Sequence, residues 1–484
     1  MNRFLLSEKY SFIKTIADQS KLSRGLIGCT ALALMTSAGS CTPKLPEKPN
    51  ILLIITDQQS SESMSCNIGN KYLNTPGMDY LAKHGISFTN AYCANPLSMP
   101  SRSSMFTGMY PHDIGIQSND NKRLDPAEFP NLGTIFANAG YETGYAGKWH
   151  LPYNYRETDL HGFFHMMEIK DNGVDSLVPS ATVKFLNKQR DKPFLFVASF
   201  VNPHNICQWA RGETLPDGDI GTPPEGDKCP PLRLNHAPSE NETDIMQLLR
   251  TSYQATRMFP VSGFSDEKWR QYTWSYYRMI EKVDSEIGKI LSSLRESGQD
   301  KNTIVVFLSD HGDCQGAHLW NQKTVFFEES SKVPFIISYK GLRPRKSDFL
   351  VQTGIDLMPT LCDLAGIHPR KQSRGTSLKK LITTGITPEN REYIVVSDRL
   401  VQGDTINGCK PEPEGRMLRT KRFKYWIYNE GEQRETLYDL QNDPGEMINL
   451  ARNPKFRSDL ENCRKDLTVW AEKHNDPYLK YLVN

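Results

Sequence analysis

Three stretches of this chain are apolar without interruption, rich in β-branched residues, and cut off by polar groups at their carboxyl ends. The first, Asn50-Ile-Leu-Leu-Ile-Ile-Thr56, stops at Asp57-Gln58. The second, Phe194-Leu-Phe-Val-Ala-Ser-Phe200, stops at Asn202-Pro203-His204. The third, Thr303-Ile-Val-Val-Phe-Leu308, stops at Ser309-Asp310-His311. A run without alternation suits a strand buried on both faces, as in a parallel sheet covered by helices on each side. Helical patterns lie between the runs, over 75–83, 132–139 and 269–294. Strands alternating with helices make an open α/β sheet, and ligands bind such sheets beyond the carboxyl ends of the strands. Asp57, His204, Asp310 and His311 are therefore expected together on one side of the sheet.

The remaining segments divide the chain. Lys21 and Arg24 precede an apolar run over residues 26–38, too short to span a bilayer, and small residues then lead to Cys41. Residues 1–40 read as an export signal, with Cys41 where a bacterial lipoprotein would be cleaved and lipidated. A Pro-rich linker occupies 41–49. The protein is thus expected in the periplasm or at the bacterial cell surface, touching membrane through a lipid alone. Residues 1–40 hold five of the 58 basic side chains and two of the 56 acidic ones, which leaves the remainder at 53 against 54. No global field draws nucleic acid or an anionic membrane, so any anion binding is local. Eight cysteines follow Cys41, none in a CxxC pair, which argues against a zinc ribbon; spacing leaves any disulfide pairing open. A catalytic domain is expected over 50–384. Within it, about 205–265 is too long and irregular for an ordinary connection and reads as an insertion or lid. Short strands at 393–397, 416–420, 424–428 and 436–439, then a helix near 455–473, make 385–484 a small antiparallel sheet with a packed helix.

The chemistry centres on Asn95-Pro-Leu-Ser98-Met-Pro100-Ser101-Arg102-Ser-Ser-Met-Phe-Thr107-Gly108. Ser98 is expected just before a helix start, with Pro100 near the first helical position. A helix N-terminus presents free N–H groups and positive dipole to an anion, and Arg102, one turn on, can face the same point. Taken singly these residues say little. A lone Ser98 is an ordinary cap, a lone Lys148 a surface charge, and a lone His204 or His311 structural.

Their joint order changes the reading. Ser98-x-Pro100-Ser101-Arg102 followed by Thr107-Gly108 closely resembles the signature of the type I sulfatases of the alkaline-phosphatase-like superfamily. Gly147-Lys148-Trp149-His150, Asn202-Pro203-His204 and Ser309-Asp310-His311-Gly312 resemble further family segments. So do Lys323, thirteen residues beyond Asp310, and the ending Tyr438-Asp439-Leu440, Asp443-Pro444, Glu446 and Asn449-Leu450. The resemblance runs from Pro49 to about Leu450. It implies a large, mainly parallel sheet sandwiched by helices, with a smaller C-terminal α+β domain.

It also implies roles. Ser98 would be oxidised to formylglycine (3-oxoalanine) by a radical S-adenosylmethionine maturation enzyme before export. Asp57, Gln58, Ser98, Asp310 and His311 would hold one Ca²⁺; Gln58 and His311 are departures from the commoner Asp and Asn. Arg102, Lys148, His150, His204 and Lys323 would complete the catalytic set. In the mechanism this resemblance implies, hydrated formylglycine would attack sulfur, His204 or a neighbour would protonate the leaving oxygen, and His150 would take the proton that lets sulfate depart. The substrate is expected to be a sulfated saccharide attacked from one end. Trp209, Arg211, Arg233 and His236 of the insertion, with His318, are candidates to line the sugar pocket. Two alternatives stay open: a phosphomonoester or phosphonate hydrolase on the same fold, and a surface glycan-binding protein with an inactive site.

Overall fold

The computed structural model describes residues 46–120, 122–169, 174–368, 373–388 and 391–483. The expected export signal and Cys41 lie outside the described residues.

The large sheet has eight strands: β1 (Asn50–Asp57), β2 (Gly85–Tyr92), β3 (Glu142–Lys148), β4 (His165–Ile169), β5 (Phe194–Pro203), β6 (Thr303–Ser309), β7 (Phe335–Ser338) and β8 (Arg345–Gln352). Their order is β4-β3-β5-β1-β6-β7-β2-β8. β7 runs antiparallel to β6 and β2; the other paired strands are parallel. The three apolar runs are thus three adjacent strands, with β1 between β5 and β6.

Alternate side chains of β1 leave on opposite faces, as the two-residue strand period requires. Ile51, Leu53 and Ile55 join Met105, Phe106, Ile135, Phe136, Leu357 and Leu361. Those partners come from the helices Ser98–Thr107, Leu132–Asn138 and Thr353–Leu364. Leu52 and Ile54 face the other way, onto Tyr276, Ile280, Val283 and Ile287 of the long helix Asp266–Glu296. Each such side chain contributes about 1.5–3 kcal/mol on leaving water. Ser265 caps the long helix by accepting from the Lys268 N–H, so it begins one turn before the expected Trp269.

The second sheet is antiparallel, in the order β12-β11-β10-β9, from β9 (Tyr393–Arg399), β10 (Glu414–Thr420), β11 (Phe423–Tyr428) and β12 (Glu435–Asp439). Val395, Leu418, Tyr425 and Leu437 pack on Leu460, Leu467 and Trp470 of the helix Arg457–Lys473. Val396, Met417 and Trp426 pack on Tyr253, Trp320 and Phe327 of the larger unit. The Lys424 ammonium fastens the same junction, reaching Glu328 at 3.0 Å and Glu446 at 2.8 Å, while Glu446 also accepts the Glu328 N–H at 2.7 Å. Asn449 accepts the Leu437 N–H, and Asp443 those of Met447 and Ile448, so the terminal motif braces this small sheet. All eight described cysteines are free thiols, six of them buried.

Candidate active site

Strand register assembles the site. Thr56 pairs with Ser309 and Asp57 with Pro203. Gly147 pairs with Ser199. Asp57, Lys148, His204 and Asp310 therefore end adjacent strands on the same side of the sheet. Two glycines make the approach possible: a Cβ at Gly147, where φ is +104°, would lie 1.8 Å from the Ser199 carbonyl oxygen. One at Gly312 would lie 1.9 Å from that of Glu329.

Ser98 is the first residue of its helix; extended Leu97, at φ −148° and ψ 140°, is the cap. The expected placement before the helix is corrected accordingly. The serine side chain caps nothing. Its Oγ lies 3.0 Å from His311 Nε2 and 3.4 Å from Asp57 Oδ2. Met99, Pro100 and Ser101 of the first turn offer no free N–H to an anion either. Met99 donates to Asn119 Oδ1, Ser101 donates to the Leu97 carbonyl, and Pro100 has no N–H. Positive charge at this point comes from side chains instead.

Arg102 also differs from expectation. Fully buried, it donates to Asp310 Oδ2 at 2.8 Å, Asp57 Oδ2 at 3.1 Å and Ser199 Oγ at 2.8 Å. Its fork clamps two carboxylates that would otherwise repel. Lys148 donates to Asp57 Oδ2 at 2.7 Å, and Lys323 to Gln58 Oε1 at 2.8 Å. Burial opposes ionisation of Asp57, but Lys148, His204, Arg102 and Lys323 hold its carboxyl well below the usual range. Burial and the neighbouring Asp57 push Asp310 up to about 6.

Asp57, Asp310 and His311 offer buried ligand atoms within 4.8 Å of one another. Asp57 Oδ1 has no hydrogen-bond partner. His311 donates from Nδ1 to the Gly312 carbonyl, which leaves the Nε2 lone pair facing Ser98 and the carboxylates. Burial and Lys323 hold this imidazole well below its ordinary value, hence neutral. An orphaned carboxylate oxygen beside a neutral imidazole nitrogen is a donor set that fits a divalent cation.

His150 follows β3 in a left-handed conformation, φ 43°, and is partly buried. Burial, Lys323 and Lys148 hold His204 well below the imidazole range. Of the pocket candidates, three are corrected. His318 is fully buried, stacked on Phe327 at 3.8 Å, and pushed down to about 3 by burial and Lys424. Arg233 pairs with Glu62 and Glu329. His236 donates to the Gly316 carbonyl and packs on Trp269. Trp209 and Arg211 remain partly exposed on and just past the short helix Ile206–Ala210, Trp209 beneath the Lys268 ammonium and Arg211 paired with Glu213. The sequence reading missed Ser199, the third anchor of Arg102 beside Asp310 and Asp57, and Asp313, which holds the Gln58 amide at 2.7 Å. Asp313 stands three residues past Asp310 in the same polar segment, a signal available in the sequence.

The family model described as Sulfatase matches residues 49–367. The chain belongs to the sulfatase family. A second model, N-sulphoglucosamine sulphohydrolase, C-terminal, matches residues 316–473 of this sulfatase. The chain is 31% identical to a Delta 4,5-hexuronate-2-O-sulfatase of Bacteroides thetaiotaomicron, over 90% of this chain and 92% of that protein. It is 30% identical to an ulvan-active sulfatase of Formosa agariphila, over 93% and 89%. The solved structure of a 2-O GAG sulfatase superposes with a TM-score of 0.78 at 30% identity, covering 89% of this sulfatase and 93% of that chain. The fold is alkaline-phosphatase-like, and the protein is a sulfuric ester hydrolase.

Proposed function

We propose that this sulfatase removes sulfate from a saccharide, acting on a chain end, with Ser98 converted to formylglycine and one Ca²⁺ at Asp57, Asp310 and His311. The observation that carries the reading is Ser98 Oγ, 3.0 Å from the ligand-ready His311 nitrogen and flanked by the Asp57 that Lys148 grips. The names of two relatives, a hexuronate sulfatase and an ulvan-active sulfatase, support a saccharide.

A divalent ion there supplies charge neutralisation and activates the nucleophile. Gln58 Oε1, which accepts from Lys323, is the atom through which this amide would help to hold the ion. Formylglycine in hydrated form supplies one hydroxyl to attack sulfur and another for sulfate release. Lys148 and Lys323 hold the sulfate oxygens as charge develops. Burial and the charges of Lys323 and Lys148 disfavour the His204 proton. An anionic ester arriving there offsets those charges and favours the imidazolium that a leaving alkoxide needs. His150 takes the proton that accompanies sulfate release. Arg102 touches no substrate; it keeps Asp57 and Asp310 in place. Trp209 and Arg211, beginning five residues past His204, supply a stacking face and a cation for the sugar. The proposal includes maturation by a radical S-adenosylmethionine enzyme, export, and a lipidated mature N-terminus at Cys41.

A size series of one sulfated saccharide tests the reading, with the matching phosphate ester alongside. Sulfate release from a mono- or disaccharide at least as fast as from the polymer is expected. Preference for the phosphate ester, or for internal sulfates of long chains, overturns it.

A further inference from the structure

Gln58 occupies an uncommon position. Its φ is +69°, a left-handed conformation that strains a glutamine backbone. Its N–H donates to Asp310 Oδ1 at 3.1 Å and its carbonyl accepts from Tyr276 Oη at 2.7 Å. The backbone is therefore locked, and the side-chain amide spans two buried charges of opposite sign. Nε2 donates to Asp313 Oδ2 at 2.7 Å; Oε1 accepts from Lys323 Nζ at 2.8 Å. A carboxylate accepts and an ammonium donates, so this network fixes which way the amide points.

Asp313 is held in turn. It accepts from Tyr272 Oη at 3.0 Å and from the Gln315 N–H at 2.8 Å. The segment bearing Lys323 needs such an anchor. Gln322 and Thr324, on either side, have φ values of +60° and +68°.

We propose that Asp313 is a positioning residue for the reaction: acting through the Gln58 amide, it fixes where the Lys323 ammonium stands. The proposal rests on the functional reading above, in which Lys323 holds the ester sulfate. It also accounts for an amide at position 58. A carboxylate there would face Asp313 at hydrogen-bond distance, whereas an amide joins the two charges without repulsion.

The test is a polarity swap. Asp313→Asn is expected to lower kcat on p-nitrophenyl sulfate about tenfold, and to weaken inorganic sulfate binding, measured by titration calorimetry, by a similar factor. Gln58→Glu alone sets two carboxylates face to face and is expected to lose at least as much. In the double variant, the carboxylate introduced at position 58 accepts from both Lys323 and the amide introduced at position 313. Recovery of kcat and sulfate affinity to within about threefold of wild type is expected, since the donor–acceptor order is restored. An Asp313 that merely stiffens its loop would lose melting temperature in Asp313→Asn without rescue by Gln58→Glu. Wild-type kcat and sulfate affinity in Asp313→Asn, or a folded double variant no better than the singles, overturns the proposal. Should Asp313→Asn not fold, wild-type sulfate affinity in Gln58→Glu overturns it equally. Calorimetry also separates the two readings. A wild-type protein that binds sulfate yet hydrolyses no ester sinks the functional reading, while the variants' affinities still judge Asp313.

Discussion

Ser98 Oγ and His311 Nε2 lie 3.0 Å apart although 213 residues separate them in the chain. One comes from the first turn of a helix and the other from the segment after β6, and both are buried. Removing the serine oxygen leaves the packing around it unchanged. Ser98→Ala is expected to lower turnover by about 10⁴-fold or more with the melting temperature preserved. Peptide mass spectrometry of active wild-type protein is expected to show the loss of two hydrogens at residue 98. Full activity in wholly unmodified protein would refute the formylglycine mechanism.

Arg102 neutralises Asp57 and Asp310 in a fully buried setting. Arg102→Met strands two carboxylates. The expected cost is about 3–5 kcal/mol in urea denaturation, the range for breaking a buried pair from one side. A loss below about 1 kcal/mol would mean that the carboxylates find other partners.

Chelation is expected to lower the melting temperature and abolish turnover, with Ca²⁺ restoring both, because a ligand that binds the folded state alone stabilises it by mass action. Asp310→Ala should show neither the chelator response nor the restoration. Unaltered turnover in metal-free protein contradicts the assignment.

Asp398 is buried at the end of β9, and burial raises its carboxyl to about 7 from an ordinary 3.8. The folded state therefore holds a proton that the unfolded chain releases. Stability from this group is greatest below about pH 4, declines as pH rises towards 7, and stays low above it. Asp398→Asn is expected to gain stability relative to wild type at pH 8 but not at pH 4, a difference on the order of a few kcal/mol. Parallel denaturation curves at the two pH values measure it. An equal effect at both would place the carboxyl at an ordinary value.

β1, β5 and β6 were legible because they are buried on both faces and carry no alternation to confuse the period. β3 hid behind Gly144 and Gly147, and β7 is four residues long. β2 carries buried, partly buried and exposed positions and offers no comparable apolar run. Site residues that end strands, Asp57, His204 and Asp310, followed from the sheet itself; Lys148, His150 and Lys323 followed from family resemblance. The errors lie where sequence hides partners. Arg233, His236 and His318 look like pocket residues in a polar stretch, yet Glu62, Glu329, the Gly316 carbonyl and Phe327 already hold them. Arg102 looked like an anion ligand because the two carboxylates that claim it are remote in sequence.

The sheet order also imposes a timetable. β1 is among the first strands to be synthesised, but its partners β5 and β6 come much later, and His311 trails Ser98 by 213 residues. At about 5–20 residues per second, that interval lasts roughly 10–40 s. Until it ends the centre cannot close, so the proposed modification of Ser98 would have for its window the time the ribosome takes to reach the strand that will bury it.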